Sequence, residues 1–184
     1  GDVDPERFGV VLGNGIGGFE TLELNFQKHF LKGPKAIHPL VVPMMITNIA
    51  PATIAIRFEM KGPSYAIATA CASGTDAIGQ CYRLIKQGFV DAMIAGGTEA
   101  PLIPLGLGGF CAIQAVSTHF NDTPERASRP FDKERDGFDI GEGSGIVILE
   151  ELEHAKKRGA KIHAELVGYG SNCDAYHLTQ PEPS

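Results

Sequence analysis

The sequence predicts an α/β fold, in which strands alternate with helices and pack as layers. Three observations predict it. Short apolar runs recur between stretches of helical periodicity. Those runs are nearly continuous in apolar residues, the pattern of strands covered on both faces. No repeat or linker divides the 184 residues, which are enough for one substantial core and read as one domain.

The elements follow in chain order. "FGVVLG" (8–13) is a buried strand closed by glycine, and "GNGIGG" (13–18) is a loop. Phe19, Leu22, Phe26 and Phe30 give residues 19–30 a helical spacing. Met45, Ile49, Ala52 and Ile56 do the same for 44–58, despite Pro51. "SYAIATA" (64–70) is a second strand. The clearest helix follows it, with Ala77, Ile78, Cys81, Leu84, Ile85 and Gly88 on one face. Ser73 or Thr75 is expected to cap its start and Gly88 to end it. "DAMIAGG" (91–97) is a third strand, 105–116 a glycine-rich helix, and 123–145 a long charged loop. "GIVILEE" (145–151) is a fourth strand, 152–159 a short helix ended by Gly159, and "IHAELVGYGSN" (162–172) a fifth strand.

Composition narrows the function. The net charge of −6 offers no Lys/Arg surplus to neutralise phosphates, which argues against nonspecific nucleic-acid binding. The least charged long stretch, "APLIPLGLGGFCAIQAVSTHF", is broken by Pro and Gly and makes a poor membrane span. The four cysteines show neither CxxC spacing nor a disulfide framework, so a reduced, cytosol-like compartment is expected. "GDVDPERFGVVLG" opens without Met and "LTQPEPS" stops in a turn, so the expectation is a piece of a longer chain.

Cys71 stands where a strand run turns into a helix, among Ala70, Ala72, Ser73 and Gly74. A helix start favours the thiolate through unpaired N–H groups and the dipole. The small neighbours leave room for a substrate, and backbone N–H groups there can bind an oxyanion. The opposing reading is a small cysteine packed beneath the helix, and local sequence leaves both open. Cys81 sits mid-helix on the apolar face and reads as core filler, the default for Cys111 and Cys173 as well.

"GNGIGG" also matches the dinucleotide fingerprint GxGxxG. That reading needs an acidic residue about 20 positions on, at the end of a second strand. No Asp or Glu lies between Glu23 and Glu59, so the glycines are assigned to a tight turn. The six histidines show no metal-ligand spacing. "RPFDKERDGF" (129–138) is either a solvated loop with local ion pairs or a loop that turns Phe138 into a pocket.

Four blocks carry a family likeness: "GPSYAIATACASGTDAIG", "AMIAGGTEAPLIPLGLGGFCAIQAVST", "ASRPFDKERDGFDIGEGSGIVILEELEHAKKRGAKIHAELVGYG" and "DAYHLTQPEP". Together, almost from Phe8 to Pro183, they resemble the elongating β-ketoacyl-[acyl carrier protein] synthases of type II fatty-acid synthesis. The resemblance implies a thiolase-like α-β-α-β-α fold of two similar halves, of which residues 1–184 hold mostly the N-terminal half without its first strand and helix. It implies a cytoplasmic homodimer with no cofactor, acyl carrier protein as partner, and a decarboxylative Claisen condensation. Cys71 matches the active-site cysteine that takes the acyl chain. Ile16 matches the residue capping the acyl pocket, and Phe110 and Phe138 match pocket-lining positions. The strand ending at Cys71 matches one that pairs across the dimer.

The chain also departs from the family. The "HGT" and "GH" histidines, a lysine and a "GFGG" loop of the second half are absent, and His177 in "DAYH" matches a different position. The resemblance therefore implies at most self-acylation for these residues alone. A polyketide synthase ketosynthase is the neighbouring alternative. A non-catalytic chain-length partner is another, and Cys71 speaks against it because such partners lack the reactive cysteine.

Overall fold

The computed structural model describes residues 3–183. Four strands form one sheet in the order β2-β1-β3-β4. They are β1 (Phe8–Gly13), β2 (Ser64–Ile67), β3 (Ala92–Glu99) and β4 (Gly143–Glu150). β1 runs parallel to β2 and β3, whereas β4 pairs antiparallel with β3, from Ala92 against Glu150 to Glu99 against Gly143. The carboxyl ends of β1, β2 and β3 therefore share one sheet edge.

Helices cover the two faces. α1 (Phe19–Lys32) follows β1, and two shorter helices, α2 (Val41–Met45) and α3 (Ile49–Arg57), stand where one helix over 44–58 was expected. α4 (Ser73–Lys86) follows β2, α5 (Pro104–Ala112) follows β3, and α6 (Leu152–Lys157) follows β4. Successive side chains of β1 point to opposite faces and so feed two cores. Val11 joins Ala77, Cys81, Val90, Met93 and Ala95 beneath α4, with Ile78, Leu84 and Ile85 packed against them. Val10, Leu12 and Met60 form the opposite cluster with Ala50, Ile54 and Ala55. Each large side chain so buried contributes about 1.5–3 kcal/mol. The apolar face expected of α4 is thus the face that packs, and Gly88 follows its end with a left-handed φ of 74°.

Three expectations are corrected. Residues 162–172 form no strand; they run across α4, where Tyr169 and Val167 bond to its side chains instead of to a neighbouring strand. Neither Ser73 nor Thr75 caps α4: the capping position is Ala72, and no side chain bonds there. Coverage of both sheet faces holds for β1 and β3 but fails at the edges. Ile146, Val147 and Ile148 of β4 are exposed by 44, 43 and 66%, and of that strand only Leu149 packs against the cluster beneath α4.

The amino end of α4 rests on bare sheet backbone. A Cβ on Gly13 would stand 2.1–2.3 Å from Ser73 C, Ser73 O and Gly74 N, and one on Gly97 would stand 3.0 Å from Gly74 Cα. These neighbours are backbone and cannot swing aside. Gly13→Ala is expected to cost about 3 kcal/mol, at the upper end of overpacking penalties, and to lower the melting temperature accordingly in thermal denaturation.

Candidate active site

β2 ends at Ile67, and the chain then turns through a single 3-10 turn (Ala70–Ala72) into α4. Cys71 lies in that turn, exposed and free of any disulfide. Ala70 before it has φ 50°, a left-handed conformation that strains a residue with a Cβ by about 1–3 kcal/mol. The turn is held in place by side chains. Thr69 N donates to Ser73 Oγ at 2.8 Å, and Ser73 Oγ donates to Ala70 O at 2.6 Å. Ala72 N donates to Thr69 O at 3.1 Å. Ser73, only 4% exposed, therefore spends its hydroxyl on the turn rather than on the helix start. The start of α4 keeps no side-chain cap; the Ser73 N–H itself donates to Ala70 O.

Asp76, in the first turn of α4, accepts from Thr69 Oγ1 at 2.5 Å and from the Tyr169 hydroxyl. Those two bonds hold its carboxyl below the usual carboxylate range, with the Thr69 bond the larger cause.

The loop after β1 lies against the same turn, since Asn14 N donates to Ile67 O at 2.9 Å. Asn14 Nδ2 donates to Thr98 O at 2.6 Å, Gly15 N to Glu99 Oε2 at 2.7 Å, and Gly17 N to Asn14 Oδ1 at 2.5 Å. Ile16, at the crest of this loop, is 41% exposed. A Cβ on Gly18 would meet Met44 O at 2.1 Å, so the glycine run serves backbone packing on α2. The loops bearing Ile16 and Cys71 are thus neighbours on one sheet edge.

Phe110 and Phe138 meet each other, edge to face, with ring centroids 6.4 Å apart. Phe110 lies on α5. Phe138 is held by backbone bonds, Phe138 N to Ala115 O at 2.7 Å and Ser117 N to Phe138 O at 2.9 Å. Among the described residues no hydrogen bond or ring contact ties this pair to Cys71 or Ile16. The charged loop before Phe138 has its ion pairs, Arg129 with Asp132 and Glu134, both at 3.9 Å, and Arg129 also stacks over Phe120.

The other cysteines divide. Cys81 is fully buried, and burial pushes its thiol up to about 12. Cys111 and Cys173 are exposed, which corrects their reading as filler: α5 packs through Gly106, and residues 172–176 lie outside any helix or strand. Thr69, Asp76, Tyr169, Asn14 and Glu99 were not singled out from sequence. Only the spacing of Thr69 and Asp76 about Cys71 could have hinted at them.

The fold and turn define an α/β protein with an accessible thiol at the head of a helix seated on the carboxyl edge of parallel strands. The family model for the beta-ketoacyl synthase N-terminal domain matches residues 1–155, and the chain belongs to that family. It is 50% identical over 182 residues to 3-oxoacyl-[acyl-carrier-protein] synthase 2 of Coxiella burnetii, covering 99% of this chain and 44% of the relative. The fold matches a chain in the solved complex of a type II PKS acyl-carrier protein with its ketosynthase bound to the hexaketide. That match has a TM-score of 0.91 and 40% identity over 96% of this chain and 44% of the other. A beta-ketoacyl synthase from Burkholderia phymatum STM815 matches with a TM-score of 0.88 and 38% identity, over 97% of this chain and 43% of the other. The fold is therefore thiolase-like, and the chain spans a little under half the length of these relatives.

One anchor near Phe138 titrates in an accessible range. Asp136 accepts from Ser117 Oγ at 2.6 Å, Thr118 N at 2.8 Å and His119 N at 2.9 Å. These bonds, that of Ser117 foremost, lower its carboxyl from 3.8 to about 2. A lowered folded value adds stability that is complete above 3.8 and is lost as pH falls through about 2. The stability gap between wild type and Asp136→Asn is expected to be constant near neutral pH and to close across that acid window in urea titrations.

Proposed function

We propose that the protein is a β-ketoacyl-[acyl carrier protein] synthase, with Cys71 as the residue that carries the growing acyl chain. The observation that carries this reading is the exposed Cys71 sulfur between a left-handed Ala70 and the uncapped start of α4. In the first half-reaction Cys71 Sγ attacks the thioester carbonyl of an acyl carrier protein. A new C–S bond forms, and the carrier's thiolate leaves. Backbone N–H groups at the helix start receive the transient oxyanion. In the second, malonyl-carrier protein loses carbon dioxide, its carbanion attacks the Cys71 thioester, the cysteine thiolate leaves, and the carrier holds the chain two carbons longer. No cofactor enters either step.

Ile16, on the neighbouring loop, is proposed to bound the acyl chain. Phe110 and Phe138 are proposed to line its pocket as one edge-to-face pair. Residues 1–184 are proposed to be the N-terminal part of a ketosynthase domain. The exposed apolar face of β4 supports this, since a further layer would cover it. β2 is an edge strand with Ser64 and Tyr65 exposed, a place for a second copy to pair in a homodimer. Acyl carrier protein as partner is supported by the relatives' names. The type II polyketide match favours a polyketide ketosynthase as the second reading, at lower identity than the fatty-acid relatives.

Incubation with a fatty acyl carrier protein followed by intact-mass analysis is expected to show one acyl adduct, mapped to Cys71 and abolished by Cys71→Ala. An adduct that persists in that variant refutes the assignment. For the 184 residues alone, acylation without release of carbon dioxide from malonyl-carrier protein is expected; sustained release would show that these residues suffice for condensation.

A further inference from the structure

The segment that fails to form a fifth strand ends up against the reactive turn. Residues 160–172 cross the outer face of α4, with Tyr82 Oη donating to Val167 O at 3.1 Å. The Tyr169 ring lies where a side chain on Gly79 would be: a Cβ there would stand 2.2–2.4 Å from its ring carbons. Arg83 stacks on the other part of the ring, with its guanidinium carbon 4.9 Å from the centroid. The ring's place is therefore built into α4. From it, the Tyr169 hydroxyl reaches Asp76 Oδ1, and Asp76 Oδ2 accepts from Thr69 Oγ1 at 2.5 Å. Thr69 in turn ties the start of the strained turn to its far end, through its N–H to Ser73 Oγ and its carbonyl to Ala72 N.

We infer that Tyr169 and Asp76 are positioning residues that hold Thr69, and through it Ala70 and Cys71, in the geometry needed for acyl transfer. This rests on the reading of Cys71 as the acyl-accepting nucleophile. Neither side chain is required to touch substrate. Both oxygens of Asp76 are engaged, so the carboxylate acts as a fixed bridge between a distant segment and the turn. Releasing one end lets the left-handed Ala70 relax and carries the sulfur away from the helix start.

The test compares wild type with Tyr169→Phe, Thr69→Val and Thr69→Ser. Tyr169→Phe keeps the ring on Gly79 and removes the donor. Thr69→Val keeps the volume and removes the hydroxyl, whereas Thr69→Ser retains it. Each protein is treated with iodoacetamide, and labelling at Cys71 is followed by peptide mass spectrometry. Exposed Cys111 serves as the internal reference, and buried Cys81 reports any unfolding. Acylation by a palmitoyl thioester is measured in parallel. Tyr169→Phe and Thr69→Val are expected to slow Cys71 relative to Cys111 about tenfold, a shift smaller than the roughly hundredfold that a 1 Å misplacement of a reacting atom can cost. They should lower the kcat of acylation with KM unchanged, and Thr69→Ser should restore it. If Tyr169→Phe labels at Cys81, the Thr69 pair decides. A Cys71 to Cys111 ratio unchanged in the folded variants overturns the inference. Normal labelling of wild-type Cys71 without any acyl adduct overturns the functional reading instead, and the ratio still decides the positioning role.

Discussion

The contact between the first residues of α4 and the backbone of β1 and β3 governs the geometry of everything above it. Gly13 and Gly97 present no side chain, and Ser73 and Gly74 settle onto them. That approach fixes the height of the helix start over the sheet edge, and Cys71 sits two residues before it. A helix is stiff and a packed sheet is stiffer, so a position set by backbone contact transmits little slack to the turn between them. It also dictates the turn's shape. β2 must deliver the chain to a helix start seated directly on backbone, and the left-handed Ala70 lies in the connection.

Such a turn persists only if its surroundings over-determine it. The strain at Ala70 is about 1–3 kcal/mol, and a neutral hydrogen bond returns about 1 kcal/mol. The Ser73 hydroxyl alone, with one bond accepted and one donated, does no more than match that strain. The Thr69 bond to the Asp76 carboxylate is charge-assisted and roughly twice as strong as a neutral one. The turn's backbone bonds, Ala72 N to Thr69 O and Ser73 N to Ala70 O, are thus joined by a bond to an ionised group that Tyr169 also holds.

What the sequence disclosed was local. The α4 face from Ala77 to Ile85 is a 3.6-residue pattern, and the strands at 8–13 and 91–97 are continuous apolar runs, so both were readable. So was the place of Cys71 at a strand-to-helix turn. Residues 162–172 misled because a strand-like composition says nothing about whether a partner strand is free, and here Tyr169 packs on α4. Cys81 and Cys111 both stand in apolar stretches, yet only α4 has a long face against the core to bury one. The Asp76–Tyr169 bond joins residues 93 apart in the chain, beyond any periodicity, and a positive φ at an alanine has no compositional sign.

The arrangement also limits what Asp76 can do beside Cys71. Asp76 is the acidic residue of the first turn of α4, and a carboxylate beside a cysteine could in principle take its proton. Here both of its oxygens already accept hydrogen bonds, and those bonds depress its proton affinity. A base needs a proton affinity near that of the group it serves. The two bonds leave Asp76 lone pairs to spare but lower its proton affinity further from that of a thiol, so its charge serves geometry. The start of α4 itself carries no side-chain cap, because the Ser73 hydroxyl is spent on Ala70 O. Ser73 turning back onto Ala70 therefore has two effects: it braces the turn that presents Cys71, and it leaves the start of α4 without a side-chain cap.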